Sequence, residues 1–241
     1  IEPIIDCFFR LYLYTHYFIL LFFNFMTKLF TTKWIPIVEY ANKESYLNEV
    51  QKQVDPISDR FVALFFLLGV CLAPIYSTWV FTWITMGCTC MLYLIIRLVL
   101  EEGKLSRALI AIVYTIFLLQ FIGQLHGMAE MHFFYFINAA LLIIYQDWRM
   151  QVVYAFLAIG HHSFLSIMQW KYGTDLGNYF IGYGDITFFR LFFHFGIALL
   201  MSFICGFWAY LIQYMYLTIT SKYQKKEEST QNKNFDENTN K

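Results

Sequence analysis

The chain has 241 residues, of which 59% are hydrophobic, 21% aromatic and 14% charged, with Lys plus Arg equal to Asp plus Glu. Ordinary soluble domains hold roughly a quarter charged residues, so this composition describes an integral membrane protein, and zero net charge offers no global attraction for nucleic acid. Cys7, Cys71, Cys88, Cys90 and Cys205 stand in apolar surroundings without CxxC spacing, which points to buried free thiols rather than disulfides or metal ligands.

Residues 1–25 open on Ile1 and are dominated by Phe, Tyr, Leu and Ile. They read as an extra N-terminal helix or as translation upstream of Met26, and the absence of a small-residue cleavage site argues against a signal peptide. His16 falls in this segment and is set apart from any site. Residues 26–60 mix charges of both signs and suit an amphipathic or loosely structured cytoplasmic lead-in. Residues 61–217 then form the membrane domain. Six apolar segments follow one another at about 61–76, 78–100, 106–126, 130–146, 150–169 and 187–217. About 20 helical residues cross the hydrocarbon, and open strands cannot satisfy their backbones in lipid. The expected fold is therefore all-α, a bundle of six transmembrane helices. Residues 218–241 are polar and rich in Asn, and a disordered cytoplasmic tail is expected there.

Basic residues orient the bundle. Lys104 and Arg107 follow the second segment, Arg149 follows the fourth, and Lys222, Lys225 and Lys226 follow the sixth, while the turns at 74–78 and 126–130 contain no Lys or Arg. The positive-inside rule gives an N-in, C-in protein. Glu130 and His132 then lie near the outer surface. His162 lies roughly 10 Å below the outer end of the fifth helix at 1.5 Å per residue, and His194 reaches a similar depth on the sixth. Gln120 and Gln124, one turn apart, add a polar face nearby.

Ionisable groups inside a bilayer usually face a bundle interior, a ligand or a pathway. Neutral imidazole is a ligand for copper, zinc, iron and heme iron, and Glu130 is placed to complete or orient such a shell. The candidate metal-binding residues are therefore His132, His162, His194, Glu130 and His161. His161 and His162 point about 100° apart, so one of the two faces the bundle. Two plainer readings stay open: imidazoles bonded to neighbouring helices, or a pocket for an organic ligand.

At the other face, Asp147-Trp148-Arg149 makes a compact helix connection with an internal ion pair and, with Tyr145, an aromatic anchor. Structural use is its simplest role, and reading of helix movement is a second. Arg97 and Arg190 are expected to snorkel to the two interfaces.

These residues together resemble a known family. Glu130-Met131-His132-Phe133, Tyr145-Gln146-Asp147-Trp148-Arg149, His161-His162 and Arg190-Leu191-Phe192-Phe193-His194 are similar to the six-helix, His-rich membrane sensor module at the N-terminus of bacterial chemoreceptors, sensor histidine kinases and diguanylate cyclases. Members read E-x-H-F-H, Y-x-D-W-R, D-H or H-H, and W-R-x-x-E-H. The likeness spans about residues 59–216 and favours His162 over His161 as the inward-facing imidazole. The chain departs from the family at Phe134, in place of a second His, at His161, often an Asp, and at Phe193, in place of a Glu. The resemblance implies sensing, with Tyr145, Asp147, Trp148, Arg149 and Arg190 in structural or signalling roles. It also implies a bacterial inner membrane and an output domain. The sequence after residue 217 contains no H-box, GGDEF stretch or Walker loop, so the chain is expected to be either a stand-alone sensor working through a partner or a fragment lacking its effector.

The expected function is a non-catalytic sensory module. It binds a metal ion, heme or small ligand and relays the event through the last helix to a separate cytoplasmic kinase, cyclase or chemotaxis protein, with homodimerisation suited to such signalling. A heme-binding electron-transfer protein would use paired axial histidines. A transporter would need a polar route and broken helices. A structural membrane subunit is the remaining alternative.

Overall fold

The computed structural model describes residues 43–172 and 188–239, with some side chains within these ranges left out. The segment 1–25, residues 26–42 and residues 173–187 lie outside the described residues, as does the side chain of Arg190. The described elements are all helical, without a strand among them. They are α1 (Lys43–Leu72), α2 (Trp79–Val99), α3 (Lys104–Gln124), α4 (Phe133–Leu142), α5 (Trp148–Tyr172) and α6 (Phe188–Thr239). A 3-10 turn precedes α4 at Ala129–His132 and another follows it at Ile143–Tyr145.

Three helices are long and apolar enough to cross a membrane: Trp79–Val99, Lys104–Gln124 and, within α6, Phe192–Tyr223. That is fewer than the six spans read from the sequence, and the reasons are local. The segment expected at 61–76 is the second half of a helix whose first half carries Glu44, Lys52, Asp55 and Asp59. The one at 130–146 is interrupted by its 3-10 turns and forms a short apolar unit, Ala129–Tyr145. In α5, Gln151, His161, His162 and Ser163 dilute the hydropathy.

Helix α1 also begins at Lys43 rather than near residue 61. Tyr46, Leu47, Val50, Val54, Ile57, Val62 and Phe65 recur at helical spacing and are buried together with Gln51, Asp55 and Ser58. The charged lead-in therefore packs along the bundle. Pro56 sits inside α1 without breaking it, although it has no N–H to give the Lys52 carbonyl.

Helix α3 is central. Its apolar window is 67% enclosed, against 28% for α2 and 22% for α6, and it packs on α1, α2, α4 and α5. In α2 the buried positions Thr82, Met86, Thr89, Tyr93 and Ile96 follow a 4-3-4-3 spacing, so one narrow stripe meets the bundle. Val80, Ile84, Met91 and Leu98 point outward. Phe65 anchors the interior, its ring 5.7 Å from Phe117, 5.8 Å from Tyr114 and Phe121, and 6.2 Å from Phe134. Helices α1, α2 and α3 approach closely at Gly69. A Cβ there would lie 2.7 Å from Gln120 Nε2 and 2.9 Å from Met86 Sδ.

Four further expectations change. Gln124 donates to Gly69 O at 2.8 Å and to Thr82 Oγ1 at 2.6 Å, and Gln120 donates to Gln124 at 3.3 Å, so this pair ties α1 and α2 to α3 instead of extending the histidine site. Arg97 does not simply snorkel: it pairs with buried Asp55 and, at 3.0 Å, with Asp59. The tail expected to be disordered from 218 continues α6 to Thr239. No Gly or Pro follows Gly206, and Lys225, Lys226, Glu227 and Glu228 are good helix formers. Of the described cysteines, all are free but only Cys205 is buried, while Cys71 and Cys88 are exposed.

Candidate functional site

Three imidazoles converge from three elements. His132 closes the 3-10 turn before α4, His162 lies in α5, and His194 lies in the first turns of α6. One ligand atom of each falls within 4.8 Å of the other two. Ring centroids are 5.3 Å apart for His132 and His194, 5.5 Å for His132 and His162, and 6.0 Å for His162 and His194. The turn that delivers His132 follows a chain reversal in which His126 and Gly127 both take positive φ, at 52° and 75°. Glycine suits that conformation, whereas a histidine there is uncommon.

The helices also fix how two of the rings stand. His162 Nδ1 lies 2.9 Å from Ala158 O and His132 Nδ1 lies 3.2 Å from Met128 O, each four residues back. In the neutral tautomer that donates from Nδ1 to these carbonyls, Nε2 holds the lone pair. Backbone partners of this kind orient imidazoles in metal sites.

A cavity of about 300 Å³ adjoins the three rings. Glu130 lines it but is exposed, and it does not belong to the group of mutually close ligand atoms. His161 is next to His162, with centroids 5.8 Å apart, and is likewise outside that group. Of the five candidate residues, then, three come together, one borders their cavity and one stands beside it. His126 is not in that group, and its ring lies 4.4 Å from Tyr76, at the turn between α1 and α2.

Tyr135 was not singled out by the sequence. Its hydroxyl donates to Ala198 O at 3.0 Å and accepts from Ser202 Oγ at 2.6 Å, which fastens α4 to α6 one to two turns beyond His194. Tyr154 of α5 donates to Tyr135 O at 3.1 Å. The helices bearing His162 and His194 are thus bonded to the segment bearing His132. Phe134, where the resembled family has a second histidine, packs 5.0 Å from Phe121 in the aromatic interior.

The opposite end of the bundle holds a charged network around Asp147. Arg107 Nε lies 2.9 Å and Arg149 Nε 2.7 Å from its two oxygens. Glu44 receives Arg107 at 2.8 Å, Arg149 at 3.0 Å and Lys104 at 3.5 Å. Burial alone would raise the Asp147 carboxyl, but hydrogen bonds and charge from Arg149 and Arg107 outweigh it and hold the pKa below the ordinary value. Tyr145 is fully buried and donates to Asp55 at 3.0 Å. Asp55 itself is raised, because burial outweighs the Arg97 charge and the Tyr145 bond. Trp148 is exposed. The internal ion pair expected of Asp147-Trp148-Arg149 is present, and it is one edge of a larger assembly joining α1, α3 and the turn before α5.

A second opening of about 840 Å³ runs along α5 and α6 and is almost wholly apolar. It offers no group of ligating side chains, so the histidine cavity is the candidate site. No protein-family model, curated protein or solved structure matches the chain.

Proposed function

We propose that this chain is a multi-pass membrane sensor whose His132, His162 and His194 bind a metal ion and pass the binding event to α6. The observation that carries the reading is the convergence of three imidazoles from three separate elements, two of them anchored through Nδ1 to their own backbone. Two imidazole nitrogens on one tetrahedral zinc stand about 3.4 Å apart, given metal bonds of roughly 2.0–2.1 Å. The ligand atoms here lie within 4.8 Å of one another. An ion therefore draws the three elements together by up to about 1.4 Å, favouring the closed arrangement over the open one.

Six membrane crossings with both described ends on the cytoplasmic side fit the gathering of Lys104, Arg107 and Arg149 at one end of the bundle. A bacterial inner membrane, a homodimer and a separate kinase, cyclase or chemotaxis effector follow from the resemblance of the Glu130–His132, Tyr145–Arg149 and Arg190–His194 motifs to sensor modules. The geometry favours a bare ion over heme. A heme iron takes one or two axial protein ligands, whereas three imidazole ligand atoms lie within 4.8 Å of one another here, a donor set that suits a bare ion.

Elemental analysis of detergent-purified protein tests the reading. Near-stoichiometric zinc, copper or iron, lost in both His132→Ala and His162→Ala, is expected. No metal in the wild type after reconstitution with each candidate would overturn it.

A further inference from the structure

Three imidazoles leave a tetrahedral ion one ligand short. What fills that position can be argued from the cavity beside it, and the argument rests on the metal reading above. Neutral imidazoles contribute no charge, so a divalent ion on the triad keeps both its charges in apolar surroundings, where uncompensated charge is unfavourable. Among the described residues that line the cavity Glu130 is the one carboxylate, and it stands at the exposed edge, apart from the three ligand atoms. The rest of the wall is largely hydrocarbon, from Leu118, Ile122, Phe133, Phe136 and Ile197. At about 300 Å³ the space equals roughly ten water volumes. A carboxyl group with a tail of roughly three to five carbons fits within it.

We propose that the fourth position takes a small monobasic organic acid, bound through a carboxylate oxygen with its alkyl tail against Leu118, Ile122 and Phe136. One negative charge offsets half the charge of the ion, and the tail gains apolar burial. The neutral acid enters. Its O–H bond breaks as the metal–oxygen bond forms, the electron pair stays on oxygen, and the proton leaves to water at the edge where Glu130 stands. A dicarboxylate is rejected because its second charge would be buried without a partner.

The test uses the full chain in lipid nanodiscs loaded with Co²⁺, whose visible bands report coordination. Those bands should shift on titration with acetate, butyrate and hexanoate. Affinity should rise about fourfold for each methylene added between acetate and butyrate, and succinate should bind at least about tenfold more weakly than butyrate. Ala198 lines the cavity one turn after His194 and is not a ligand. Ala198→Phe should keep the Co²⁺ bands and lose the chain-length effect, and Glu130→Gln should keep both. Co²⁺ bands that ignore butyrate, or that respond to butyrate no more tightly than to acetate or to succinate, overturn the proposal while leaving the metal reading intact. Loss of the bands in Glu130→Gln also overturns it, because Glu130 would then be the fourth ligand. Absence of binding of Co²⁺ and of zinc, copper and iron alike in the wild type removes the metal reading and this proposal together.

Discussion

Arg107 Nε lies 2.9 Å from Asp147 Oδ2, forty positions away in the sequence, and the two side chains are only 1% and 3% exposed. The same guanidinium reaches Glu44 at 2.8 Å, Asn48 at 2.9 Å and Gln51 at 3.3 Å. One arginine thus joins α1 and α3 to the turn between α4 and α5. Replacing Asp147 by Ala leaves that cation enclosed with Glu44 as its remaining acid, and removing one partner of a buried pair costs about 3–5 kcal/mol. Denaturation of Asp147→Ala in detergent should show a loss of that order. A change under about 0.5 kcal/mol would mean that the pair is solvated.

Asp147 also sets an acid limit. Its pKa is lowered in the folded chain from an unfolded value of about 3.9. The stabilisation is therefore complete above about pH 4 and is lost as pH falls through the folded pKa. Thermal stability of the wild type should drop below about pH 4 more steeply than that of Asp147→Asn. Parallel curves would contradict the assignment.

The histidines should not be equivalent. His194→Ala removes one of the three close ligand atoms, and its metal affinity should fall by more than the roughly 10–100-fold typical of losing an outer-shell partner. His161→Ala should keep affinity within about threefold of wild type, since His161 is outside the group. Metal titration in nanodiscs separates these outcomes, and equal losses in both variants would contradict the three-ligand site.

Phe134→His introduces the residue that the resembled sensor modules carry, at a position packed against Phe121 and Phe65. It should not raise metal affinity, and it should lower stability by about 1–3 kcal/mol, the range for an imperfectly satisfied polar group in an apolar setting. Tighter metal binding in this variant would place residue 134 at the site.

Tyr135→Phe removes the hydroxyl that joins α4 to Ala198 and Ser202 of α6. A loss of about 1–2 kcal/mol is expected for hydrogen bonds of this kind. If α6 relays the site, Tyr135→Phe should also slow or weaken the metal-dependent change in hydrogen exchange along 205–220. An unchanged exchange pattern would argue for a structural bond alone.

Helical content was legible because apolar runs of 15 to 20 residues leave few choices, but of the six apolar segments only three became helices long and apolar enough to cross a membrane. The closeness of His132, His162 and His194 could be anticipated only as a shared depth, from helix rise and loop charges. Which of His161 and His162 turns inward depends on the rotation of α5, and a helix with polar residues on several sides does not declare that rotation. The charged residues of α1 were misleading for a different reason. Asp55 and Glu44 look like a solvated lead-in until Arg97 and Arg107, some 40 and 60 positions later, are brought beside them. Tyr135 was invisible as a tie because its partners on α6 include a backbone carbonyl, which leaves no mark in a sequence.

The length of α6 changes the scale of the events at the histidines. At 1.5 Å per residue its 52 residues extend about 78 Å, against roughly 30 Å of hydrocarbon. From Tyr216, whose ring stacks 5.1 Å from Tyr46, the helix runs a further 35 Å or so to Thr239. A stiff rod of that reach, tilted by about 5° at Tyr216, sweeps its distal end through about 3 Å. Sub-helical adjustments around an ion would then arrive at the far end magnified, as a displacement large enough to open or shut a contact between proteins.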